Sequence, residues 1–496
     1  MAGLKRSNVI IIHPDLGIGG AERLIIDVAL ALQNRGHRVT IYTSHRDKTH
    51  CFEEARDGTL DVRVRGNTIV PAHFCGRFHV LMAILRQLHL TVSVLKELGS
   101  STALEGSNAN NTRTKVQEEG LEDDIFIVDQ VPACVPFLKS LGPQWHRQRQ
   151  RVLFYCHFPD QLLARRDEGG SLLRLAKVLY RYPFDWFEGW ALSAADKVVA
   201  NSRFTRGVVS QVFGSKQLGD VRVVYPCVDT EAAGPPAAGS VRDADIDKEG
   251  QLWGGKKILL SINRFERKKD MALAIRAYHG LGDLKRRGTR LVIAGGYDNR
   301  VQENVQYHRE LDELATHLGL QTATSKTVIS ALSIPDSIDV LFLLSVPTAF
   351  RDTLLSQAKL LLYTPINEHF GIVPVEAMRA GVPVLASNTG GPLETIVEGE
   401  TGWLRDAKVD ADWTAVMEKV LYEMDQEELD RMSATARKRV QEEFSLVAMG
   451  DHLESEISDM LASPRRPFNG FQKVFALLAL VGLMLAGFVA FILGLP

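Results

Sequence analysis

Cysteine is scarce and scattered in this chain: Cys51, Cys75, Cys134, Cys156 and Cys227 are the only five in 496 residues. No C-x2-C pair occurs, which argues against a zinc knuckle or a disulfide framework and fits a reducing compartment. Charge of one sign is also lacking. Lys and Arg number 58 against 60 Asp and Glu, a net charge of −2, so no polycation draws nucleic acid. The amino terminus has neither the long apolar stretch nor the small-residue cleavage site of a secretory leader. Asp243-Ala244-Asp245 has the look of a metal motif but lies in a polar stretch without a flanking apolar strand, so no metal site is expected. What remains, 45% hydrophobic and 24% charged residues, excludes a disordered chain and fills several cores, and the length predicts two or three domains.

One long apolar run is present. Residues 474–495 contain no charged side chain, and a helix of about 21 such residues spans about 31 Å, matching a hydrocarbon core of about 30 Å. Arg465, Arg466 and Lys473 precede it and almost nothing follows, so the positive-inside rule predicts a tail-anchored protein with its bulk in the cytosol. The other reading is a buried core helix. Asn110-Asn111-Thr112 is a glycosylation sequon, but in this topology its loop is cytosolic and carries no glycan.

The first half opens as a Rossmann unit: strand Val9 to His13, a glycine turn, helix Ala21 to Gln33 ending at Gly36, and strand Arg38 to Thr43. A dinucleotide fingerprint needs a third glycine where Glu22 stands, which argues against a dehydrogenase, although Gly19 and Gly20 still admit a phosphate or sugar. Residues 100–124 read as a mobile polar insertion and 229–255 as a linker. The domains predicted are therefore 1–228, 256–462 and the anchor 474–495. His157 follows the strand Arg151 to Tyr155 at a sheet edge, and Asn201 ends the strand Lys197 to Ala200. Phe78 to Leu98 and Leu172 to Leu192 mix apolar, aromatic and basic residues; they fit a membrane interface as well as they fit crossover helices.

The second half carries the chemistry. Ile258 to Ile262 reads as a buried strand, followed by a cationic loop with Arg264 and Lys269 and a helix from Met271. Arg binds phosphate oxygens through a planar fork and Lys as a point charge, so the loop suits a diphosphate. After the apolar run Leu360 to Tyr363, Glu368 and Glu376 stand eight positions apart across a loop running into a helix. Pro374 and Glu376 are expected in that helix's first turn, and Gly381 at its end. Carboxylates accept from hydroxyl-rich ligands. Gly390-Gly391 follows the next strand and lets backbone approach an anion. In open α/β sheets ligands lie beyond the carboxyl ends of the strands, where all three loops fall.

Residues 258–405 resemble the donor half of the retaining glycosyltransferases of family 4, whose GT-B architecture sets two Rossmann-like domains facing a cleft; Glu368 to Glu376 matches that family's E-x7-E motif. His13 to Arg23, Tyr155 to Asp160, Arg264 to Lys269 and Tyr363 to Pro374 together resemble the members that add mannoses to a dolichol-linked oligosaccharide.

The resemblance implies transfer of mannose from GDP-mannose, with retention, to a dolichol-diphosphate-linked Man-GlcNAc2 acceptor, forming α-1,3 and α-1,6 linkages at the cytosolic face of the endoplasmic reticulum, with no cofactor beyond the donor and with other glycosyltransferases of the pathway as partners. It implies that Arg264 and Lys269 neutralise the diphosphate, Glu376 binds the ribose, Glu368 contacts the mannose, His157 backs the reactive centre, and Gly371, Gly390 and Gly391 contact donor phosphate or sugar. Asp270 departs from the family, where glycine or asparagine is common. Two other functions remain open: an N-acetylglucosaminyl-phosphatidylinositol transferase, and a silent scaffold of the same fold.

Overall fold

The computed structural model describes residues 6–71, 79–107, 124–141, 150–163, 171–214, 218–230 and 251–466. The apolar segment 474–495 lies outside them; among the described residues no helix is long and apolar enough to cross a membrane. Two compact units form, one running to Tyr225 and resuming at Met449, the other Pro226–Ala448.

The first unit holds seven parallel strands: β1 (Asn8–Leu16), β2 (Arg38–Arg46), β3 (Asp61–Val64), β4 (Asp124–Asp129), β5 (Gln150–Cys156), β6 (Lys197–Ala200) and β7 (Arg222–Val223), in the order β3-β2-β1-β4-β5-β6-β7. Their continuous apolar runs, such as Val9–Ile12 and Ile125–Val128, are wholly buried because helices cover both faces of a parallel sheet. The order reverses between β1 and β4, so the crevice beyond those strand ends is the topological switch point.

The second unit repeats the architecture with β8 (Lys257–Ile262), β9 (Thr289–Gly295), β10 (Thr322–Ser325), β11 (Val340–Leu344), β12 (Ala358–Tyr363), β13 (Val384–Ser387) and β14 (Gly402–Arg405), ordered β10-β11-β9-β8-β12-β13-β14. Its switch point falls between β8 and β12, the two strands that the cationic and two-carboxylate loops follow. The α/β class with two Rossmann-like sheets is thus present.

Several boundaries differ from expectation. β1 runs on to Leu16 and the helix after it begins at Gly20, leaving a turn of only a few residues. Helix His79–Ser107 enters the stretch read as a mobile insertion, and the rest of that insertion, 108–123, lies outside the described residues. The end of the expected linker is packed: Trp253 is buried and donates its indole N–H to the Ala331 carbonyl at 2.8 Å.

The last described helix, Leu446–Ala462, was expected inside the second domain, yet the chain rejoins the first unit at Met449. Ion pairs fix it there: Arg35 to Asp451 at 2.6 Å, Arg35 to Glu454 at 3.2 Å, and Lys197 to Glu456 at 2.6 Å. Lys197 and Glu456 are only 16% and 13% exposed, so removing one partner strands a poorly solvated charge. Lys197→Ala is expected to lower unfolding stability by about 1–3 kcal/mol, and the double change Lys197→Met with Glu456→Leu by less; denaturant melts of the three proteins check this.

Candidate active site

The cationic loop leaves β8 at the switch point. Arg264 is 65% exposed and meets Glu266 at 3.3 Å, leaving a guanidinium free to turn toward an anion. A 3-10 turn, Arg267–Lys269, brings Lys269 back over the sheet edge. Asp270 then adopts φ 42 and ψ 47, left-handed backbone, before helix Met271–Gly280 begins. This is the conformation that glycine enters freely and asparagine tolerates, so the residue that departs from the family pattern carries local strain. Gly295 and Gly296, at the end of β9, complete the floor: an added Cβ at Gly295 would collide with the Asn263 backbone, and at Gly296 it would meet Arg264 at 3.2 Å.

Lys269 meets Glu368 directly, an ammonium on a carboxylate with the two side chains 13% and 23% exposed. The Thr364 hydroxyl donates to the Lys269 carbonyl at 2.7 Å, so the loops after β8 and β12 are tied at backbone and side chain. Burial by itself would push the Glu368 carboxyl up; Lys269, His369 and a hydrogen bond from the Tyr363 hydroxyl outweigh it and hold the group below the usual carboxylate range. The Tyr363 phenol, in turn, is raised by burial and by the facing carboxylate.

Helix Ile372–Ala380 starts from Gly371, φ 86, whose added Cβ would press on the Tyr363 ring at 3.2 Å, and stops at Gly381, φ 83. Glu376 is its fifth residue. The expectation that it sits in the first turn is corrected, because the helix begins two positions ahead of Pro374. Glu376 meets Arg351 at 3.1 Å through one oxygen, while its other oxygen is buried with no hydrogen-bond partner among the described residues. Burial pushes its carboxyl up, and Arg351 and Arg379 offset this only partly. An unmet buried acceptor is costly, so this oxygen can take a hydrogen bond from a hydroxyl or amine donor.

The glycine turn after β13 packs on the same loop. Gly391 donates its N–H to the Glu368 carbonyl at 2.7 Å. A Cβ at Gly391 would strike the Phe370 carbonyl, and one at Gly390, φ 71, would come to 2.6 Å from the Glu368 carbonyl. These glycines admit a neighbouring backbone, and the Gly391 N–H is taken within the protein.

In the first unit, His157 lies beyond β5 and its Nε2 meets Asp129, the last residue of β4, at 3.0 Å. Asp129 is fully buried and its carboxylate also contacts His13 Nδ1 at 2.9 Å. Burial opposes charge on both partners; their mutual attraction wins, raising His13 and lowering Asp129. The His13 Nε2 is spent on the Asp15 carbonyl at 3.0 Å, and the Asp15 carboxylate accepts both arms of Arg86 at 2.8 and 2.6 Å. Gly19 and Gly20 open the helix that follows β1; at Gly20 an added Cβ would meet open space. Asn201 is buried behind β6 and accepts from the Ser202 hydroxyl at 3.3 Å.

Comparison with known proteins fits this geometry. Residues 124–232 match the description Glycosyltransferase Family 4, and 243–439 match Glycosyl transferases group 1. The α-1,3/1,6-mannosyltransferase of Neurospora crassa is 50% identical over 92% of this chain and 91% of its own length. This chain is a glycosyltransferase of the α-1,3/1,6-mannosyltransferase family. Other members similar to it include those of Rhizomucor pusillus, 42% identical over 97% of this chain and 98% of that protein, and Saccharomyces cerevisiae, 41% over 92% and 85%. Among solved structures, sucrose-phosphate synthase from Thermosynechococcus elongatus superposes with TM-score 0.62 at 17% identity, over 92% of this chain and all of that one, a likeness of fold.

Sequence reading caught the geometry of the two units unevenly. It missed Asp129 and Arg351. Asp129 had one signal, a carboxylate ending the apolar strand run Ile125–Val128; Arg351, on a surface-patterned helix, had none. Relief of the left-handed strain gives a direct check: Asp270→Gly is expected to raise the melting temperature by a few degrees, and Asp270→Val to lower it, through a backbone term of about 1–2 kcal/mol. Scanning calorimetry of both variants decides.

Proposed function

We propose that this glycosyltransferase moves mannose from GDP-mannose to a dolichol-diphosphate-linked Man-GlcNAc2 acceptor with retention, forming α-1,3 and α-1,6 linkages. The observation that carries the reading is the charge arrangement at the β8/β12 switch point: a basic pair, Arg264 and Lys269, beside a glutamate held ionised and another with an unmet oxygen. Relatives that carry the α-1,3/1,6-mannosyltransferase name supply the sugar and the linkages.

In this reading Arg264 and Lys269 receive the diphosphate. Cleavage of the sugar–phosphate bond leaves negative charge on the departing nucleotide, which Lys269 meets from its part-buried place and the exposed Arg264 meets by turning toward it. Glu368, ionised by Lys269, faces the positive charge that develops on the mannose. Glu376 accepts a ribose hydroxyl on its unmet oxygen, exchanging an orphan acceptor for a hydrogen bond. The departing phosphate takes the acceptor's proton on the same face, which preserves the anomeric configuration, and neither glutamate acts as a covalent nucleophile. Asp129 fixes the His157 ring through Nε2, turning Nδ1 toward a sugar hydroxyl. No metal enters these steps.

In this reading the chain works at the cytosolic face of the endoplasmic reticulum, and the uncharged segment 474–495 is what meets the membrane. With one E-x7-E motif in the chain, a single site accepts two successive acceptors.

Labelled GDP-mannose offered to the purified full chain with the lipid-linked acceptor is expected to yield two added mannoses, with UDP-N-acetylglucosamine inert; the reverse donor preference overturns the reading. Lys269→Ala is expected to cut kcat by about 10²-fold or more with the fold retained. Glu376→Ala is expected to act chiefly on the donor KM, raising it about tenfold, the loss of one well-placed hydrogen bond. Unchanged turnover in Lys269→Ala removes that residue from the chemistry.

A further inference from the structure

The two segments whose patterning fits a membrane interface as well as crossover helices, 78–98 and 172–192, fall largely in the helices His79–Ser107 and Ser171–Ser193, which meet in the first unit. Leu81, Met82 and Ile84 of one pack with Phe184, Phe187 and Trp190 of the other over Ala133 and Phe137, a separate apolar cluster from the main core of the sheet. Beside it lies a cavity of about 240 Å³ walled by both helices and by residues 130–133. Its sides are apolar, with Val80, Ala83, Val131 and Phe187 contributing. Burial pushes the Glu188 carboxyl in its wall up to about 7, the mark of dry surroundings.

The cavity is preformed and adjoins the histidine cluster. Gln87 of the first helix accepts from the Cys134 N–H at 3.1 Å and also donates to the Val131 carbonyl, pinning the wall that continues β4. Gln130, in that wall, follows Asp129 directly and is held at φ 58. Glu188 accepts the N–H groups of Asp160 and Gln161 at 2.7 and 3.2 Å, and so fixes the loop that begins at His157. Asp160 at the cavity is neutralised by Arg181 at 2.7 Å. Outward along the same region, Leu162, Leu163, Tyr182 and Trp186 are 50%, 56%, 73% and 54% exposed. A hydrocarbon reaching this cavity therefore meets an apolar approach.

We propose that this cavity binds the first isoprene units of a polyisoprenyl-diphosphate acceptor, seating the lipid on the first unit, with the diphosphate and three sugars left to span the way to the reacting hydroxyl. The size fits: a cavity of about 150 Å³ holds a benzene ring, so this one takes roughly ten carbons, the equivalent of two isoprene units. Contact with the branched, unsaturated chain is by shape and dispersion, with no ion or hydrogen bond to the lipid. The inference rests on the proposed acceptor being lipid-linked.

Filling the cavity tests it. The full chain in lipid nanodiscs is given GDP-mannose and one of two acceptors, the same Man-GlcNAc2 on farnesyl diphosphate or on ethyl diphosphate. Wild type is expected to favour the farnesyl acceptor at least tenfold in KM; Ala83→Trp is expected to abolish that preference while leaving the ethyl acceptor and the donor KM unchanged. A wild type without chain preference, or a variant that keeps it, overturns the cavity assignment while mannosyl transfer stands. Transfer to neither acceptor sinks the proposed function itself. Independently of the variant's folding, a diazirine on the second isoprene unit is expected to label wild-type residues 79–88, 130–134 or 184–188; labelling confined elsewhere, or displaced equally by a straight acyl chain, overturns the proposal.

Discussion

The ammonium of Lys269 against the carboxylate of Glu368 is the contact on which the second unit's site depends. These residues are 99 positions apart and meet only because β8 and β12 are neighbours across the switch point. A partly buried carboxylate alone tends toward its neutral form. With Lys269 beside it, Glu368 stays ionised, Tyr363 donates to it, and Thr364 and Gly391 bind the adjoining backbone. Without that pair the three loops are still tied by Thr364 and Gly391, but Glu368 loses the charge that keeps it ionised.

The second glutamate of the motif is in the opposite condition. Glu376 has one oxygen on Arg351 and one with no hydrogen-bond partner among the described residues, and burial raises its carboxyl where Lys269 lowers that of Glu368. Identical side chains eight positions apart are thus shifted in opposite directions, because the cation beside Glu368 outweighs its burial whereas burial of Glu376 outweighs the arginines that face it. Such separation of neighbouring carboxyl groups is the usual basis for dividing roles between them. In the first unit a similar economy operates: a single buried carboxylate, Asp129, orients two imidazoles and leaves only His157 partly exposed.

Much of this was legible along the chain. The apolar strand runs, the cationic loop after Ile262, the Glu368 loop after Tyr363 and the glycine turn after Ser387 are local patterns, and parallel sheets write their strands as unbroken apolar runs. The unexpected features are long-range or strained. Arg351 reaches Glu376 from another helix, Gly391 gives its N–H to a loop carbonyl, and the helix from Leu446 crosses back to Arg35 and Lys197. None of these has a sequence periodicity to announce it. Asp270 was visible as an odd residue at its place, but its left-handed φ explains why.

What the amino-acid order settled alone is which segments form strands and helices, the strand-then-loop placement of the charged residues, and a family likeness carried by their spacing. Those follow from near-neighbour rules: side-chain periodicity, capping glycines and the fixed φ of proline. Only the folded chain decided which of those residues touch, which carboxylate is satisfied and which is not, and that two apolar helices enclose a cavity beside His157. Partners and desolvation depend on what stands across a sheet edge, and that neighbour is set by strand order, which no local stretch of sequence contains.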